Sequence, residues 1–447
     1  MKKYIGTYVF LLGGILAGLA QENTTPKLSV LYSEAAVYPG LKARDAEVNS
    51  AYLEYKITKR EIWPSLDFQA QNTYGTYKGL AGAVFPLAGN YNVSGLESSG
   101  TAINTLLSTT LQWDIIQFGE HRDQVKIAEI GKDQSEVSYE LEDLKLKKRI
   151  TQSYVSWMYA KMMLEWAQHE AERHMGLFKI AKAQADAGRS SAADSLLVKS
   201  QYKQALADEK KWLAQTQKTE NKILEFTGVS LQNYKVSEYF LETSPQVPLS
   251  EDIEKHPLLE AKGNEKQQLE WEKKRINHRV LPDISLLASG MFRGAGYSGE
   301  DQWGDPYRLP VSNYLIGLGL TWKLDGFYDK GLKNRKNVQE QFRVEQEKEV
   351  LHRSLNEQEN SLTEQLSQAK EEIDETKESY EAARSSYDLF KVRYESGLID
   401  LPTLYQIEQS LQFAERSLLK AYHQYWLYWK DYAYVKNDYS VLIEAFN

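Results

Sequence analysis

Two histidines and two glutamates on one predicted helix have a spacing that could bind a metal ion. Glu165 and His169 are four residues apart, as are Glu170 and His174, so each pair lies on one face of a helix. The five-residue separation of the two histidines turns them away from each other, and His174 occupies a position of the heptad core. The sequence therefore favours a packing role for His174, and we predict no metal site.

Other residue types that often carry chemistry also have a simpler explanation in this chain. Glu371, Glu372 and Glu375 lie on a strongly charged helical segment, where carboxylates form a solvated face. Gly317 and Gly319 are not followed by the further glycine or lysine that a phosphate loop requires. The sequence has no cysteine, which excludes disulfides, thiolate metal sites, a thiol nucleophile and a lipidated cysteine. We therefore predict that the chain is not an enzyme and uses no cofactor.

The N-terminal residues have the pattern of a secretory signal peptide. Lys2 and Lys3 precede an apolar run of about 14 residues, shorter than the roughly 20 that a spanning helix needs. We predict cleavage after Ala20, so that residues 1–20 form the signal peptide. Loss of the two lysines changes the net charge from -8 to -10, which argues against nucleic acid as a partner. The 29 tyrosines and 10 tryptophans are many for a charged helical protein, and membrane-interface girdles would use them.

The remaining sequence contains an internal repeat with an offset of 209 residues. Trp113 maps to Trp322 and Gly188 maps to Gly397 under this offset. Between these markers both copies keep one heptad register of apolar or small residues. We predict two structural repeats, residues 21–245 and residues 246–447. The register positions of the second copy are Leu362, Leu366, Ala369, Ile373, Thr376, Tyr380, Ala383, Tyr387, Phe390 and Tyr394.

Each repeat contains two segments in which apolar residues alternate with polar or small ones, as in a β-hairpin. The predicted strands are about 64–76 and 104–117 in the first repeat, and about 283–294 and 313–324 in the second. Their apolar faces are expected to contact lipid. The predicted lipid-facing residues are Leu66, Phe68, Leu111, Trp113, Ile316, Leu318, Leu320 and Trp322.

A long helical segment without proline follows each hairpin. The two segments run from about Glu120 to Ala187 and from about Lys330 to Ser396. At 1.5 Å per residue, about 67 residues give a rod of roughly 100 Å. Each segment ends at a glycine, Gly188 or Gly397, and the chain then returns as another amphipathic helix. Each repeat is therefore predicted to form a helical hairpin with a tip at its glycine.

Four strands cannot close a barrel with a usable interior, and open strand edges in lipid leave backbone groups unpaired. Closure must come from further copies of the chain. Two chains would give eight strands around an interior filled by side chains, whereas three would give twelve strands with room for a channel. We therefore predict a homotrimer.

Over essentially the whole mature chain, the sequence resembles the TolC-like outer-membrane efflux proteins. The features that carry this resemblance are Pro64 and Pro282 before strands, Trp113 and Trp322 after strands, and the two tip segments, residues 187–197 and 394–404. The resemblance implies a mainly α-helical chain with a small membrane β part. It implies a trimer in the outer membrane, with a twelve-stranded β-barrel continued by an α-helical tunnel through the periplasm. It also implies two protein partners, a periplasmic adaptor (membrane fusion protein) and an inner-membrane pump.

The resemblance further implies roles for residues at the two tips. Acidic residues about six positions beyond the tip glycines narrow the tunnel in this family, and Asp194 has that place in the first repeat. In the second repeat Thr403 stands at the corresponding position and Gln406 three residues further on, so the acidic residues are missing there and Tyr394 is expected to help occlude the tunnel. The residues expected to contact the adaptor are Gly188, Arg189, Ser190, Gly397 and Leu398.

The function implied is export of small molecules, such as drugs, toxic compounds or metals, from the periplasm or the pump to the exterior. Type I polypeptide secretion by the same architecture is an alternative. A second alternative is a soluble periplasmic coiled-coil adaptor, although the paired strand segments argue against it. A third alternative is a secreted enzyme on a helical scaffold, but no convergent set of nucleophile, base and metal ligands supports it.

Overall fold

The structure is a computed structural model that places helices and strands along most of the chain. The predicted signal peptide lies outside the described residues. The structure describes residues 26–77, 100–188, 191–243, 253–297, 307–309 and 311–447.

The element order repeats itself, with a helix, two strands and two long helices in each half. The first half contains α1 (Leu28–Glu34), α2 (Pro39–Arg60), β1 (Ser65–Tyr77), β2 (Gly100–Ile116), α3 (Glu120–Asp186) and α4 (Ala192–Thr227). The second half contains α5 (Pro257–His278), β3 (Asp283–Tyr297), β4 (Val311–Thr321), α6 (Gly326–Glu395), α7 (Leu401–Lys436) and α8 (Ser440–Ala445).

The two longest helices, α3 and α6, contain 67 and 70 residues. Their sequences have no proline, and their first turns carry Glu120, Asp123 and Asp329, whose negative charges favour a helix start. No helix of the described ranges is both long and apolar enough to cross a membrane.

The four strands form one antiparallel sheet in the order β1-β2-β3-β4. The register pairs Leu66 with Leu111, Leu111 with Ala288, and Ala288 with Ile316, so these four residues form one row across the sheet. Because side chains alternate along a strand, every second residue from this row lies on the same face. The predicted lipid-facing residues of β1, β2 and β4 all share that face.

The strand ends differ by a few residues from the predicted bounds. Strand β2 begins at Gly100, earlier than the expected position 104, and β4 ends at Thr321. Trp322 therefore lies one residue beyond the strand. Its indole N–H donates to the carbonyl of Val280 at 3.0 Å, and Trp113 donates in the same way to Ile62 at 2.8 Å. In both halves a tryptophan near the end of the second strand thus bonds to the backbone two residues beyond the preceding helix.

The chain divides into two compact units. One unit contains Asp45–Ser138 and Glu260–Val350, and so holds the sheet and the adjoining helix segments. Within this unit His278 Nδ1 lies 2.5 Å from Asp123 Oδ2, and the Asp123 side chain is fully buried. The second unit contains the residues up to Arg44, Tyr139–Leu259 and Leu351–Asn447.

The second unit has a core rich in aromatic side chains, built from parts of α1, α3, α4, α6, α7 and α8. Trp157, Trp426 and Trp429 are among its largest fully buried side chains. Trp426 donates its indole N–H to the Phe240 carbonyl at 2.9 Å, and its ring centroid is 4.6 Å from that of Phe446. This core fixes the helices that lead to the two tips.

We expect Trp426→Ala to lower the free energy of unfolding by about 3–5 kcal/mol, because it leaves a cavity in this core. Trp426→Phe keeps most of the volume but removes the donor to Phe240, and should cost about 1–3 kcal/mol. Unfolding by guanidinium chloride in detergent, followed by near-UV circular dichroism, measures both changes. Phe413→Ala, on the same helix but exposed, should change stability by about 0.5 kcal/mol or less. Equal costs for Phe413→Ala and Trp426→Ala would contradict this description of the core.

Candidate functional site: the two helical tips

The first tip connects α3 to α4 through a left-handed glycine. Gly188 has φ +70°, a conformation that a residue with a Cβ adopts only at a cost, and its N–H donates to Ala185 O at 2.9 Å. Ser191 then caps α4, since its hydroxyl accepts the N–H of Ala193 at 3.1 Å. Glycine ends one helix and serine begins the next, which reverses the chain within a few residues.

The second tip repeats this geometry. Gly397 has φ +73°, and its N–H donates to Tyr394 O while the N–H of Leu398 donates to Arg393 O, both at 2.9 Å. This pair of bonds is a Schellman motif. Asp400 caps α7 by accepting the N–H of Thr403 at 3.1 Å.

The caps of the two tips follow the sequence repeat. Ser191 and Asp400 are separated by the same 209 residues as Gly188 and Gly397. The side-chain and backbone hydrogen bonds from Thr403 lower the pKa of Asp400, because they favour the ionised carboxylate that caps the helix.

An apolar cluster joins the two tips. It contains side chains from the last turns of α3 and α6 and from the first turns of α4 and α7, and so includes residues of both halves. Its buried members are Leu177, Ala181, Val198, Tyr387, Tyr394, Leu401, Leu404 and Leu411.

Three of the residues predicted to contact an adaptor are described, and all three are exposed at the tips. Gly188 and Gly397 are exposed, and Leu398 is 74% exposed, which is unusual for a leucine. Arg189 and Ser190 lie outside the described residues. The described tip residues are therefore accessible to a partner.

The residues predicted to narrow the tunnel occupy different environments. Asp194 and Thr403 are half-buried and Gln406 is exposed. Tyr394 is only 5% exposed, and its hydroxyl donates to Gln184 Oε1 at 3.4 Å. Burial, together with the negative charge of Asp194, raises the pKa of Tyr394. The structure thus brings Asp194 and Tyr394 near each other, with the tyrosine ring inside the apolar cluster.

A polar network between α3 and α7 lies before the tips and was not predicted from the sequence. Arg173 makes a bidentate ion pair with Glu415, at 3.0 and 2.7 Å, and also pairs with Glu170. The Trp166 indole N–H donates to Glu415 at 2.7 Å, and Gln412 hydrogen-bonds Glu170. The hydrogen bonds of Arg173 and the charges of Glu170 and Glu415 outweigh burial and raise the pKa of Arg173. These contacts tie the first half of the chain to the second.

The only signal of this network in the sequence is helical spacing. Glu170, Arg173 and His174 fall on one face of α3, and Glu408, Gln412 and Glu415 fall on one face of α7. Sequence reasoning identified the pairing of Glu170 with His174 but not the partner helix.

Comparisons with known proteins agree with this geometry. Residues 30–229 match the family model of the outer membrane efflux protein. A search of curated proteins finds no match.

Three solved structures share the fold over nearly the whole chain. The CmeC outer membrane channel of Campylobacter jejuni has 14% identity and a TM-score of 0.73, covering 97% of this chain and 93% of that one. The outer membrane protein VceC of Vibrio cholerae has 14% identity and a TM-score of 0.71, with 92% and 96% covered. The open state of the MtrE outer membrane channel of Neisseria gonorrhoeae has 14% identity and a TM-score of 0.70, with 93% and 90% covered.

The family match over residues 30–229 and the fold shared with these channels support the resemblance to outer-membrane efflux proteins seen in the sequence. The outer-membrane location and the non-enzymatic role expected from the sequence agree with that family.

Substitution by alanine should change the free energy of unfolding in opposite directions at Gly397, in the left-handed turn of the second tip, and at Gly176, inside α3. A Cβ added at Gly397 meets no atom within 4 Å, so Gly397→Ala should destabilise through backbone strain alone, by about 1–2 kcal/mol. Gly176 lies inside α3 with the same open space, and Gly176→Ala should stabilise by roughly 0.5–1 kcal/mol. Guanidinium chloride unfolding of the two variants measures the difference. Destabilisation of similar size at both positions would show that the φ of Gly397 is not what selects glycine.

Proposed function

We propose that the chain is the channel subunit of a tripartite export system, which passes small molecules from the periplasm or an inner-membrane pump to the exterior. The observation that carries this proposal is the sheet, which has one apolar face and two open edges. The exposed side chains on that face include Leu66, Phe68, Ile316 and Leu318. An exposed apolar face of this kind needs a non-aqueous environment.

The two open edges explain why several copies must associate. Because the strand order is β1-β2-β3-β4, the outer backbone groups of β1 and β4 are paired with no other described strand. Each unpaired N–H or C=O in lipid costs several kcal/mol. Pairing β1 of one copy with β4 of the next satisfies both edges. Three copies supply twelve strands, enough to enclose a channel.

Exposed apolar residues on α6 support the same association. Leu332, Phe342 and Val350 are all exposed large side chains on this helix. Helices of neighbouring copies that line a common tunnel would cover such residues.

The tips are the proposed docking site for the periplasmic adaptor and the proposed constriction of the tunnel. Exposed Gly188, Gly397 and Leu398 support adaptor contact, and we assign Arg189 and Ser190 to the same surface from their position in the repeat. We propose that the half-buried Asp194 narrows the tunnel together with Thr403 and Gln406. Tyr394 contributes through its packing beside Asp194.

Edge pairing predicts that cysteines introduced in β1 and β4 form disulfides between chains. The natural sequence has no cysteine, so every disulfide must come from the introduced residues. Tyr314→Cys is combined in turn with Leu66→Cys, Phe68→Cys or Ala70→Cys, all on one face of the sheet. Within one chain β1 and β4 are about 14 Å apart, too far for a disulfide. Oxidation in outer membranes should therefore link different chains, as shown by non-reducing electrophoresis.

Thr109→Cys combined with Tyr314→Cys is the matched control for edge pairing. Thr109 lies in the same row of the sheet as Phe68 and Tyr314, but β2 is paired on both sides within its own chain. This variant should give no linked chains. Equal cross-linking by the control, or none by any edge pair, would rule out pairing of β1 with β4.

The constriction is tested by single-channel conductance in planar bilayers. Asp194→Ala removes a half-buried carboxylate at the tip, so we expect higher conductance and a weaker preference for cations. Tyr394→Phe keeps the buried ring and serves as the control, with conductance close to that of the unchanged chain. Unaltered conductance and selectivity in Asp194→Ala would remove Asp194 from the proposed constriction.

A further inference from the structure

Three buried side chains before the tips bring two carboxylates and an imidazole together. Glu170 and His174 lie on α3 and Glu408 lies on α7, and one ligand atom from each falls within 4.8 Å of the others. The side chains of Glu170 and His174 are 4% exposed, and that of Glu408 is fully buried. The expected packing role of His174 explains its burial but not the presence of Glu408.

Glu408 has no hydrogen-bond partner for either carboxylate oxygen among the described residues. His174 Nδ1 lies 3.7 Å from its Oε2, beyond hydrogen-bond distance. A buried carboxylate without a hydrogen bond is unfavourable. A positive charge placed beside Glu408 would remove this cost.

The hydrogen bond of His174 shows where that charge belongs. His174 Nε2 lies 2.8 Å from Glu170 Oε1, so the imidazole donates its N–H to Glu170. In neutral histidine the other nitrogen, Nδ1, is then an acceptor, and it faces the carboxylate of Glu408. Two acceptors that face each other repel unless a proton on Nδ1 or a metal cation lies between them. A carboxylate that orients a histidine in this way is typical of metal sites.

The charges of the neighbouring groups favour a divalent ion. The charged groups acting on Glu408 are Glu170, Arg173 and Glu415, together with His174 when its imidazole is protonated. A metal-bound histidine is neutral, so in the metal-bound state three carboxylates and one guanidinium leave two negative charges, which a divalent cation would neutralise. The cavity beside Glu408 is also lined by the neutral side chains of Gln201 and Tyr405.

The space at the site suits one small ion. A cavity of about 10 Å³ adjoins His174 and Glu408, about the size that holds a single water. Two ligand atoms bound to Zn²⁺ at about 2.1 Å in tetrahedral geometry are about 3.4 Å apart. The observed separation of 3.7 Å between Nδ1 and Oε2 is close to this value.

We propose that His174 and Glu408 bind a Zn²⁺-like divalent cation, with Glu170 as the positioning residue that orients the imidazole. Imidazole and carboxylate suit zinc and its divalent neighbours, and the absence of cysteine disfavours monovalent copper. The ion links α3 of the first half to α7 of the second. It is held within the protein, and the proposal does not depend on which molecules are exported.

The test is a titration of the untagged, chelator-treated full chain in detergent with ZnCl₂, followed by isothermal calorimetry and by the visible spectrum of bound Co²⁺. We expect one ion per chain. Glu408→Gln and His174→Gln should weaken binding by about a hundredfold or more, because each removes a ligand. Glu170→Gln keeps an acceptor for the imidazole N–H and should weaken binding only about tenfold, with the Co²⁺ spectrum retained.

His169→Gln is the matched control, since His169 lies on the same helix but is 77% exposed. It should leave zinc binding unchanged. Melting temperatures add a readout that separates binding from folding. Without metal, Glu408→Gln should melt at or above the temperature of the unchanged chain, because it removes an unpaired buried charge. With zinc, the unchanged chain should gain stability and Glu408→Gln should not.

Three results would overturn the proposal. The first is no zinc binding by the unchanged chain, with His174 found protonated on both nitrogens by NMR, so that a proton satisfies Glu408. The second is zinc binding that survives both Glu408→Gln and His174→Gln. The third is zinc binding that is lost in His169→Gln, which would place the ion at the surface.

Discussion

The hydrogen-bonding needs of backbone groups in lipid constrain this protein more than any other interaction. Among the described strands, the sheet satisfies its inner strands but leaves one side of β1 and one side of β4 open, and its apolar face favours a lipid environment. Under the proposed function, association of copies supplies the missing partners. The order of helix, hairpin and long helices is repeated, so each half supplies two strands to this sheet.

The helices face a different constraint, which is how to reverse direction at a tip without leaving backbone groups unpaired. Both tips solve it with a left-handed glycine and a side-chain cap three residues later, Gly188 with Ser191 and Gly397 with Asp400. The apolar cluster then holds the two hairpins together. The ion pair of Arg173 with Glu415 adds a specific contact between α3 and α7, at a place where apolar heptad positions alone would permit sliding.

Much of this arrangement could be predicted from the sequence because it is local or periodic. The offset of 209 residues located both tip glycines, and alternation along the strands identified the apolar face. Heptad positions such as Ile373 and Leu366 are buried as expected. Strand ends were predicted less well because hydrophobic alternation does not mark them: β2 continues three residues beyond Trp113 to Ile116, whereas β4 ends at Thr321, one residue before Trp322.

The cluster of Glu170, His174 and Glu408 shows what a single sequence leaves undetermined. Spacing within α3 identified Glu170 and His174 as neighbours. The five-residue separation of His169 and His174 predicted that the two side chains point in different directions, and His174 is indeed buried while His169 is exposed. The sequence did not single out Glu408, since nothing in its own helix indicates that it faces His174. Contacts between distant helices depend on their relative rotation and offset, which periodicity alone does not give.

The central claim is that three copies of this chain together form an outer-membrane channel. The most direct test is the mass of the protein purified from outer membranes in detergent, measured by light scattering with correction for bound detergent. The account predicts a stable particle of three chains. A monomer that stays soluble without detergent would contradict it, because the apolar face and the open edges of the sheet would then have no lipid and no partner strands.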